Sequence, residues 1–149
     1  MTVLCPTSVW QKARQYGGKH NYVEFNRHTE WTEHGFRFSA VKAAHSDPCA
    51  IGVILEDLSD GRVYYVTGDT LYNTEIFADL PAKIDLVFLP INGVGNNMKA
   101  TDALRFFRRS GAKRAAPIHV GMFDELSPTL LEDENTLLLN IYEEREIEL

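Results

Sequence analysis

Apolar and polar positions alternate along the middle of the chain with the two-residue period of β-strands. Phe36, Phe38 and Ala40 repeat at every second position. Two nearly continuous apolar runs, 50–57 and 62–69, then flank an Asp-Gly turn, which is a strong signal for a hairpin. The pattern predicts antiparallel strands here. Because the last two runs are apolar throughout, both of their faces are expected to be covered.

The start of the chain predicts a strand, a helix and a second strand. The residues 2–6 have strand character, and Thr7 is a plausible cap for a helix that stops at Gly17. A short strand over 22–25 follows. Three apolar residues of the helix have helical spacing and are predicted to form its buried stripe: Val9, Ala13 and Tyr16.

The last third of the chain has a different order of elements. An apolar run at 84–90 is followed by a helical stretch with Thr101 as its cap and Gly111 just past its end, and then by a strand up to His119. This order predicts a βαβ unit with parallel strands. The segment 127–139 is predicted to be a helix followed by a strand. Hairpins first and βα units later favour an α/β fold with a mixed sheet and helices against it.

Length and composition place the chain among ordinary globular proteins. Its 149 residues favour one domain, and 44% hydrophobic residues suffice for a core. A net charge of −6 gives no basic footprint for nucleic acid or for an anionic membrane surface. The two cysteines, Cys5 and Cys49, are predicted to be reduced thiols. Because no segment resembles a signal peptide or a membrane span, a cytoplasmic location is expected.

One local basic cluster lies on and after the predicted helix of the βαβ unit. Cations near the end of a helix are typical of a solvated face that complements the helix dipole. The alternative is a surface that faces a phosphate group of a substrate. The cluster consists of Arg105, Arg108, Arg109, Lys113 and Arg114.

Three side chains of metal-ligand type follow three separate predicted strands. They are His45, Asp69 and His119. Two imidazoles and a carboxylate on converging loops can bind a divalent metal such as zinc. Asp69 lies between Gly and Thr, where a helix cap is an equally good interpretation. The remaining histidines fall in polar, turn-like segments and are predicted to lie on the surface: His20, His28 and His34.

Two further segments border these candidate ligands. The stretch 90–103, rich in Asn and Gly, is either a turn-rich loop or a loop that contacts substrate at the end of a strand. Asp124 follows His119 closely and could accept a hydrogen bond that orients the ring of His119, although it could equally be a loop or cap residue.

The order of His45, a Gly-Asp-Thr motif and a Pro-x-His segment resembles the metallo-β-lactamase fold superfamily. The intervening stretch LPINGVGNNM is similar to the branch of metal-dependent hydrolases that includes L-ascorbate-6-phosphate lactonase. The resemblance covers nearly the whole chain but only the latter part of the family's domain. It implies that residues 1–149 form one unit of an αββα sandwich, with mixed β-sheets flanked by helices and the amino-terminal part of the fold missing.

The resemblance also implies roles for the candidate ligands. His45 would bind a first metal, His119 a second, and Asp69 would bridge them and orient the nucleophile. The family's first cluster, His-x-His-x-Asp-His, is not found in this sequence. Zinc or manganese would be the metal, with two ions in a complete site. The residues that correspond to the family's substrate-side loop are Asn92, Asn97 and Met98.

The expected activity is metal-dependent hydrolysis by a hydroxide that two metal ions activate. The resemblance implies a lactone, ester or phosphodiester substrate, which could be anionic or phosphorylated. Since ligands of the first cluster are absent from this sequence, weak metal binding and no turnover are expected of the chain alone. Its apolar faces favour a homo-oligomer. Two alternatives are a truncated or degenerate interaction module and a single-metal domain that uses the three ligands.

Overall fold

The computed structural model describes residues 1–120, 127–139, 144 and 146–148. They form a two-stranded parallel sheet and a six-stranded mixed sheet, with one α-helix packed against each. The predicted α/β class is confirmed. The strands in chain order are β1 (Thr2–Cys5), β2 (Asn21–Glu24), β3 (Glu30–Glu33), β4 (Phe36–Lys42), β5 (Ile51–Asp57), β6 (Val63–Val66), β7 (Ile84–Pro90) and β8 (Ala112–Ile118).

The six-stranded sheet follows the order of the chain, from β3 to β8. Neighbours from β3 to β6 are antiparallel, whereas β7 is parallel to both β6 and β8. The predicted hairpin of β5 and β6 is confirmed, and its turn uses Gly61 at φ 70°, which glycine adopts without steric cost. Because of these pairings, β4, β6, β7 and β8 all run the same way. The end of the sheet where these four strands finish is called the carboxyl end below, and the opposite one the amino end.

Helix α2 (Ala100–Ser110) connects β7 to β8, so the predicted βαβ unit is confirmed. Gly111 ends the helix at φ 71°, as predicted. The cap prediction was wrong, because Lys99 precedes the helix and Thr101 lies within its first turn. The residues Ala103, Phe106 and Phe107 are buried on the face that meets the sheet.

Helix α1 (Thr7–Ala13) is short and continues as a 3₁₀ turn to Tyr16. Pro6 stands at its cap position, so Thr7 is the first helical residue and not the cap. The predicted buried stripe was wrong as well. Val9 is 47% exposed and Tyr16 is 87% exposed. Helical spacing identifies a face, but burial requires an element that packs on it, and no described element covers this face.

The main core lies between the six-stranded sheet and α2. Tyr65 and Phe106 are fully buried there, and the rings of Phe77 and Phe106 lie 5.0 Å apart. The other face of the sheet carries a smaller cluster around Leu86, Ala116 and Leu137. Val66, next to it, is 42% exposed. The expectation that both faces of β5 and β6 are covered was therefore wrong at Val66, whereas Tyr64 on the same face packs against the smaller cluster.

The end of the chain forms little regular structure in the described residues. A 3₁₀ turn over Pro128–Leu130 stands where a helix was expected, and Thr136 makes only an isolated parallel bridge to Ala115. The predicted helix and strand over 127–139 were therefore wrong. In the ranges that the structure describes, no helix has the length and apolar character needed to cross a membrane.

Candidate metal centre

The three candidate ligands lie in loops at the carboxyl end of the sheet. His45 follows β4, Asp69 follows β6 and His119 directly follows β8. These strands run in the same direction, so the loops emerge at the same end. The strand order thus explains why three residues far apart in sequence lie on one side of the molecule.

Two of the three ligands are in contact. The Oδ1 atom of Asp69 lies 2.9 Å from Nε2 of His119. Their side chains are 45% and 34% exposed, so both are open to solvent and to a ligand. A carboxylate and an imidazole in contact are a suitable pair of donors for a borderline divalent cation.

The backbone on both sides of this contact has left-handed geometry. Gly68 has φ 63°, and a Cβ atom there would lie 3.0 Å from the carbonyl oxygen of Ile51. Glycine is therefore the residue that fits immediately before Asp69. His119 itself has φ 58°, which is uncommon for a residue with a side chain. Strained residues of this kind cluster at functional sites, where the surrounding structure holds them.

His45 is held in its own loop. Its Nδ1 atom accepts a hydrogen bond of 2.9 Å from the backbone N–H of Asp47. A neutral ring that accepts at Nδ1 carries its proton on Nε2. Nε2 therefore becomes a metal ligand only after the ring gives up this hydrogen bond or loses that proton.

Asp47, which was not among the predicted site residues, organises this loop. It accepts hydrogen bonds from the hydroxyl of Ser8 at 2.7 Å and from the backbone N–H of Cys49 at 2.8 Å. These two bonds lower the pKa of the Asp47 carboxyl below its usual value. The Asp-Pro pair after His45 was the available signal, since Asp in such a position bonds to the backbone two residues on.

Both cysteines are free, with Cys5 buried and Cys49 half-buried.

The loop between β7 and α2 contains the predicted substrate residues. Asn92 accepts a hydrogen bond from the backbone N–H of Val94, so it shapes the turn. Asn97 is 7% exposed, and its Oδ1 atom is buried without a hydrogen-bond partner. Met98 is 1% exposed and belongs to the main core, so it offers no surface to a substrate in this conformation. Asn96, whose Nδ2 donates to Ser46 at 3.0 Å, is the residue of this loop that contacts the His45 loop.

The basic cluster of α2 is occupied by structural contacts. Arg105 stacks 4.5 Å from the ring centre of Tyr72, and Arg109 stacks 4.7 Å from that of Phe77. Arg108 pairs with Asp133. All three arginines are exposed, and two of them lie in the last turn of α2, so the predicted solvated face is confirmed. Arg105 and Arg109 also cover aromatic rings of the core with their guanidinium groups.

The remaining histidines lie where the polar pattern placed them. His20, His28 and His34 are all exposed, as predicted. His28 approaches Asp79, with 3.1 Å between Nε2 and Oδ1. Asp124, predicted to orient His119, lies outside the described residues.

The donor set fits part of a metal centre. Within the described ranges, no three His, Cys, Asp or Glu side chains gather into a metal-binding group. Asp69 and His119 supply a pair, and His45 lies on the same side of the molecule with its Nδ1 engaged. A catalytic zinc ion normally has three protein ligands. The described residues therefore provide some of the ligands that such a centre needs and do not complete it.

Comparison with known proteins identifies the family. Residues 1–120 match the model of the beta-lactamase superfamily domain. The chain belongs to this family. The predicted membership of the metallo-β-lactamase fold superfamily is thereby confirmed. No curated protein matches the chain.

Several solved structures share the fold. Igni18, a metallo hydrolase from Ignicoccus hospitalis, is 20% identical with a TM-score of 0.66, and the match covers 80% of this chain and 53% of that one. YhfI from Bacillus subtilis shares 18% sequence identity with this chain at a TM-score of 0.69, and the match covers 82% of this chain and 53% of YhfI. A diphosphatase of the PhnP family shares 12% sequence identity with this chain at a TM-score of 0.67, and the match covers 93% of this chain and 55% of the diphosphatase. The chain therefore spans about half the length of these relatives.

Proposed function

We propose that His45, Asp69 and His119 are ligands of a two-metal hydrolytic centre of which this chain supplies one part. The observation that carries the proposal is the 2.9 Å contact between Asp69 Oδ1 and His119 Nε2 at the carboxyl end of the sheet. Membership of the β-lactamase superfamily, with a metallo hydrolase among the similar structures, supports the same chemistry.

Each residue has a distinct role in this proposal. Asp69 has two carboxylate oxygens and would bridge two cations, while His45 and His119 would each bind one of them. A pair of divalent cations, when bound, lowers the pKa of an attacking water and stabilises negative charge that develops on the substrate. Asp69 would orient that water, and the half-exposed carboxylate is accessible for this role. The exposure of both Asp69 and His119 leaves room for a substrate to approach.

The chain alone is proposed to bind metal weakly and to lack turnover. One imidazole and a shared carboxylate per ion leave each cation short of the usual three protein ligands. Two cations held close together also repel each other unless enough negative charge compensates them. For His45, binding through Nε2 additionally costs either the hydrogen bond that Nδ1 accepts from the N–H of Asp47 or the proton on Nε2.

Calorimetric titration of the isolated chain with Zn²⁺ and Mn²⁺ tests this proposal. We expect weak binding that Asp69→Asn reduces further. His34→Ala is the matched control, since this histidine is 88% exposed and approaches Glu33 on the neighbouring position. Tight binding of two ions would refute the weak-binding part, and equal binding by the wild type and Asp69→Asn would refute the site.

The substrate of the complete centre is proposed to be a lactone, an ester or a phosphodiester, including anionic or phosphorylated forms of these. The sequence stretch LPINGVGNNM supports the first of these, and the similar diphosphatase fold is compatible with a phosphorus ester. A screen of lactone, ester and phosphodiester substrates with added Zn²⁺ or Mn²⁺ tests it on a chain extended by its upstream coding sequence. An absence of metal-dependent hydrolysis for all three substrate classes would refute the proposal.

A second candidate is a non-catalytic interaction module that forms a homo-oligomer. It is favoured by the exposed apolar residues Val9, Tyr16 and Val66. Two observations separate the candidates. An in-frame His-x-His-x-Asp-His upstream of the Met1 codon supports the enzyme, whereas a stop codon close upstream supports the module. Sedimentation of the isolated chain as a monomer at all concentrations would argue against the oligomer.

A further inference from the structure

Thr70 connects two loops of the candidate centre through its side chain. Its hydroxyl accepts a hydrogen bond of 2.8 Å from the backbone N–H of Ala44 and donates one of 3.0 Å to the carbonyl oxygen of Leu71. Ala44 directly precedes His45, and Thr70 directly follows Asp69. The hydroxyl therefore acts both as acceptor and as donor within the loops that carry His45 and Asp69.

The backbone around Thr70 strengthens the same connection. The N–H of Leu71 donates to the carbonyl oxygen of Ala44 at 2.9 Å, which closes a second link between the two loops. The N–H of Met98 donates to the carbonyl oxygen of Thr70 at 3.0 Å and joins the β7 loop to them. Thr70 thus contacts the loops that follow β4, β6 and β7.

Burial makes the hydroxyl hard to replace. Thr70 is 0% exposed and Ala44 is half-buried, so the N–H of Ala44 has restricted access to water if the hydroxyl is removed. A buried donor left without a partner costs free energy, and the loop is expected to move until water or another acceptor satisfies it.

We propose that Thr70 is a positioning residue that fixes the His45 loop relative to Asp69, and that it thereby sets the distance between two ligands of the centre. The proposal deepens the function inferred above and rests on it for the metal. The hydrogen bonds themselves, however, can be tested without any metal.

Thr67 provides a matched control in the same loop. It is also 0% exposed, and its hydroxyl donates to the carbonyl oxygen of its neighbour Gly68 at 2.8 Å. Replacing Thr67 by Val removes a buried hydroxyl without touching the link to Ala44. Any difference between the two Val variants therefore reports the link between loops and not the loss of a buried hydroxyl.

The first experiment measures amide hydrogen exchange by NMR in the metal-free wild type, Thr70→Val, Thr70→Ser and Thr67→Val. The Ala44 amide of Thr70→Val should exchange at least about tenfold faster than that of the wild type. Thr70→Ser, which keeps the hydroxyl, should restore protection, and Thr67→Val should leave the Ala44 amide unchanged. Wild-type protection of Ala44 in Thr70→Val would overturn the proposal.

A measurement on the wild type covers the case in which Thr70→Val does not fold. The Thr70 hydroxyl proton should exchange slowly and show a nuclear Overhauser effect to the Ala44 amide proton. A rapidly exchanging hydroxyl would contradict the inferred link, whatever the variants do.

The second experiment titrates the same variants with Mn²⁺ alone and follows paramagnetic broadening of the His45 and His119 ring signals. In the wild type both rings should broaden together. In Thr70→Val the ring of His45 should need a roughly tenfold higher Mn²⁺ concentration than the ring of His119, and Thr70→Ser should behave as the wild type. Joint broadening in Thr70→Val would overturn the positioning role. If neither ring broadens in the wild type, the metal centre fails, while the exchange data still decide the role of Thr70 in the loops.

Discussion

Asp85 and Asp69 lie at opposite ends of the six-stranded sheet, and their surroundings differ. At the amino end, the side chain of Asp85 is 3% exposed and contacts Lys113 Nζ at 2.7 Å, the N–H of Val63 at 2.9 Å and Lys83 Nζ at 3.2 Å. At the carboxyl end, the side chain of Asp69 is 45% exposed, and its partner among the described residues is His119.

The difference separates a carboxylate that serves the fold from one that is available for chemistry. Burial raises the pKa of Asp85, but hydrogen bonds from Lys113, the Val63 backbone and Lys83 together outweigh it and lower the pKa to about 2. Both carboxylate oxygens of Asp85 accept hydrogen bonds from groups of the protein itself. Asp69 keeps acceptor capacity open toward solvent, which is what a metal or a reacting water requires.

The largest expected effect is on stability at the amino end. Asp85→Ala leaves the buried N–H of Val63 and two lysines without their acceptor, and we expect it to lower the free energy of unfolding by about 3 kcal/mol. Urea denaturation followed by circular dichroism measures this loss. Asp85→Asn is the control, because an amide oxygen can still accept from Val63. If Asp85→Ala lost less unfolding free energy than Asp85→Asn, the structural role assigned to Asp85 would be contradicted.

Acid should weaken the same end of the sheet. The folded pKa of Asp85 is lowered to about 2 from 3.8. Its contribution to stability is therefore present above the unfolded pKa and is lost as pH falls from about 5 toward 2, at roughly 2 kcal/mol in all. Urea midpoints measured across this range in the wild type should fall more steeply than in Asp85→Asn, which has no carboxyl to protonate there. Parallel curves would exclude Asp85 as the cause.

A smaller effect is expected from the backbone of His119. Gly adopts its left-handed φ of 58° without cost, whereas Ala does not. We therefore expect His119→Gly to be more stable than His119→Ala by about 1 kcal/mol, although Gly is the more flexible residue in the unfolded chain. Thermal unfolding of the two variants gives the comparison. Equal stability, or a more stable Ala variant, would show that the backbone at His119 is not strained in solution.

The smallest effect on stability is expected at Asp69. Asp69→Asn removes a half-exposed charge with a solvated partner, so the free energy of unfolding should change by less than about 1 kcal/mol. The same variant should weaken Mn²⁺ binding, as monitored by broadening of the His119 ring signals. A large loss of stability without any change in Mn²⁺ binding would show that Asp69 is a structural residue. Asp69 and Asp85 would then have the same role.

Asp79 shows that burial, and not the end of the sheet alone, decides which carboxylates are structural. It lies near the end of β4, yet its side chain is 5% exposed and accepts a paired hydrogen bond from Arg27 at 2.6 and 2.8 Å. It also accepts from the N–H of Lys42. The guanidinium of Arg27 holds the pKa of the Asp79 carboxyl well below its usual range, against the opposing effect of desolvation. Asp79 therefore resembles Asp85 and differs from Asp69.

Much of the fold could be predicted from the sequence because its signals are local. The alternation around Phe38, the turn at Gly61 and the helix stop at Gly111 each depend on neighbouring residues, and all of them agree with the structure. The positions of His45, Asp69 and His119 just past strand ends followed from the same local patterns. The family could be predicted because the order of these motifs along the chain is itself a property of the sequence.

Burial of particular side chains could not be predicted in the same way. Val9 and Tyr16 have the spacing of a buried stripe and are exposed, whereas Met98 looked like part of a substrate loop and lies in the core. A periodic pattern shows which residues share a face. Which faces become covered depends on how distant elements pack, and that information is spread over the whole chain.

The sequence by itself determined the strands β1 to β8, the βαβ unit, the loops that carry the three candidate ligands and the family. The tertiary structure alone decided that Asp69 contacts His119, that His45 Nδ1 accepts a hydrogen bond from the N–H of Asp47, and that the Thr70 hydroxyl accepts one from the N–H of Ala44. The physical reason is the strand order. Two of these contacts join loops that are far apart in sequence, and they form only because β4, β6 and β8 finish at the same end of one sheet.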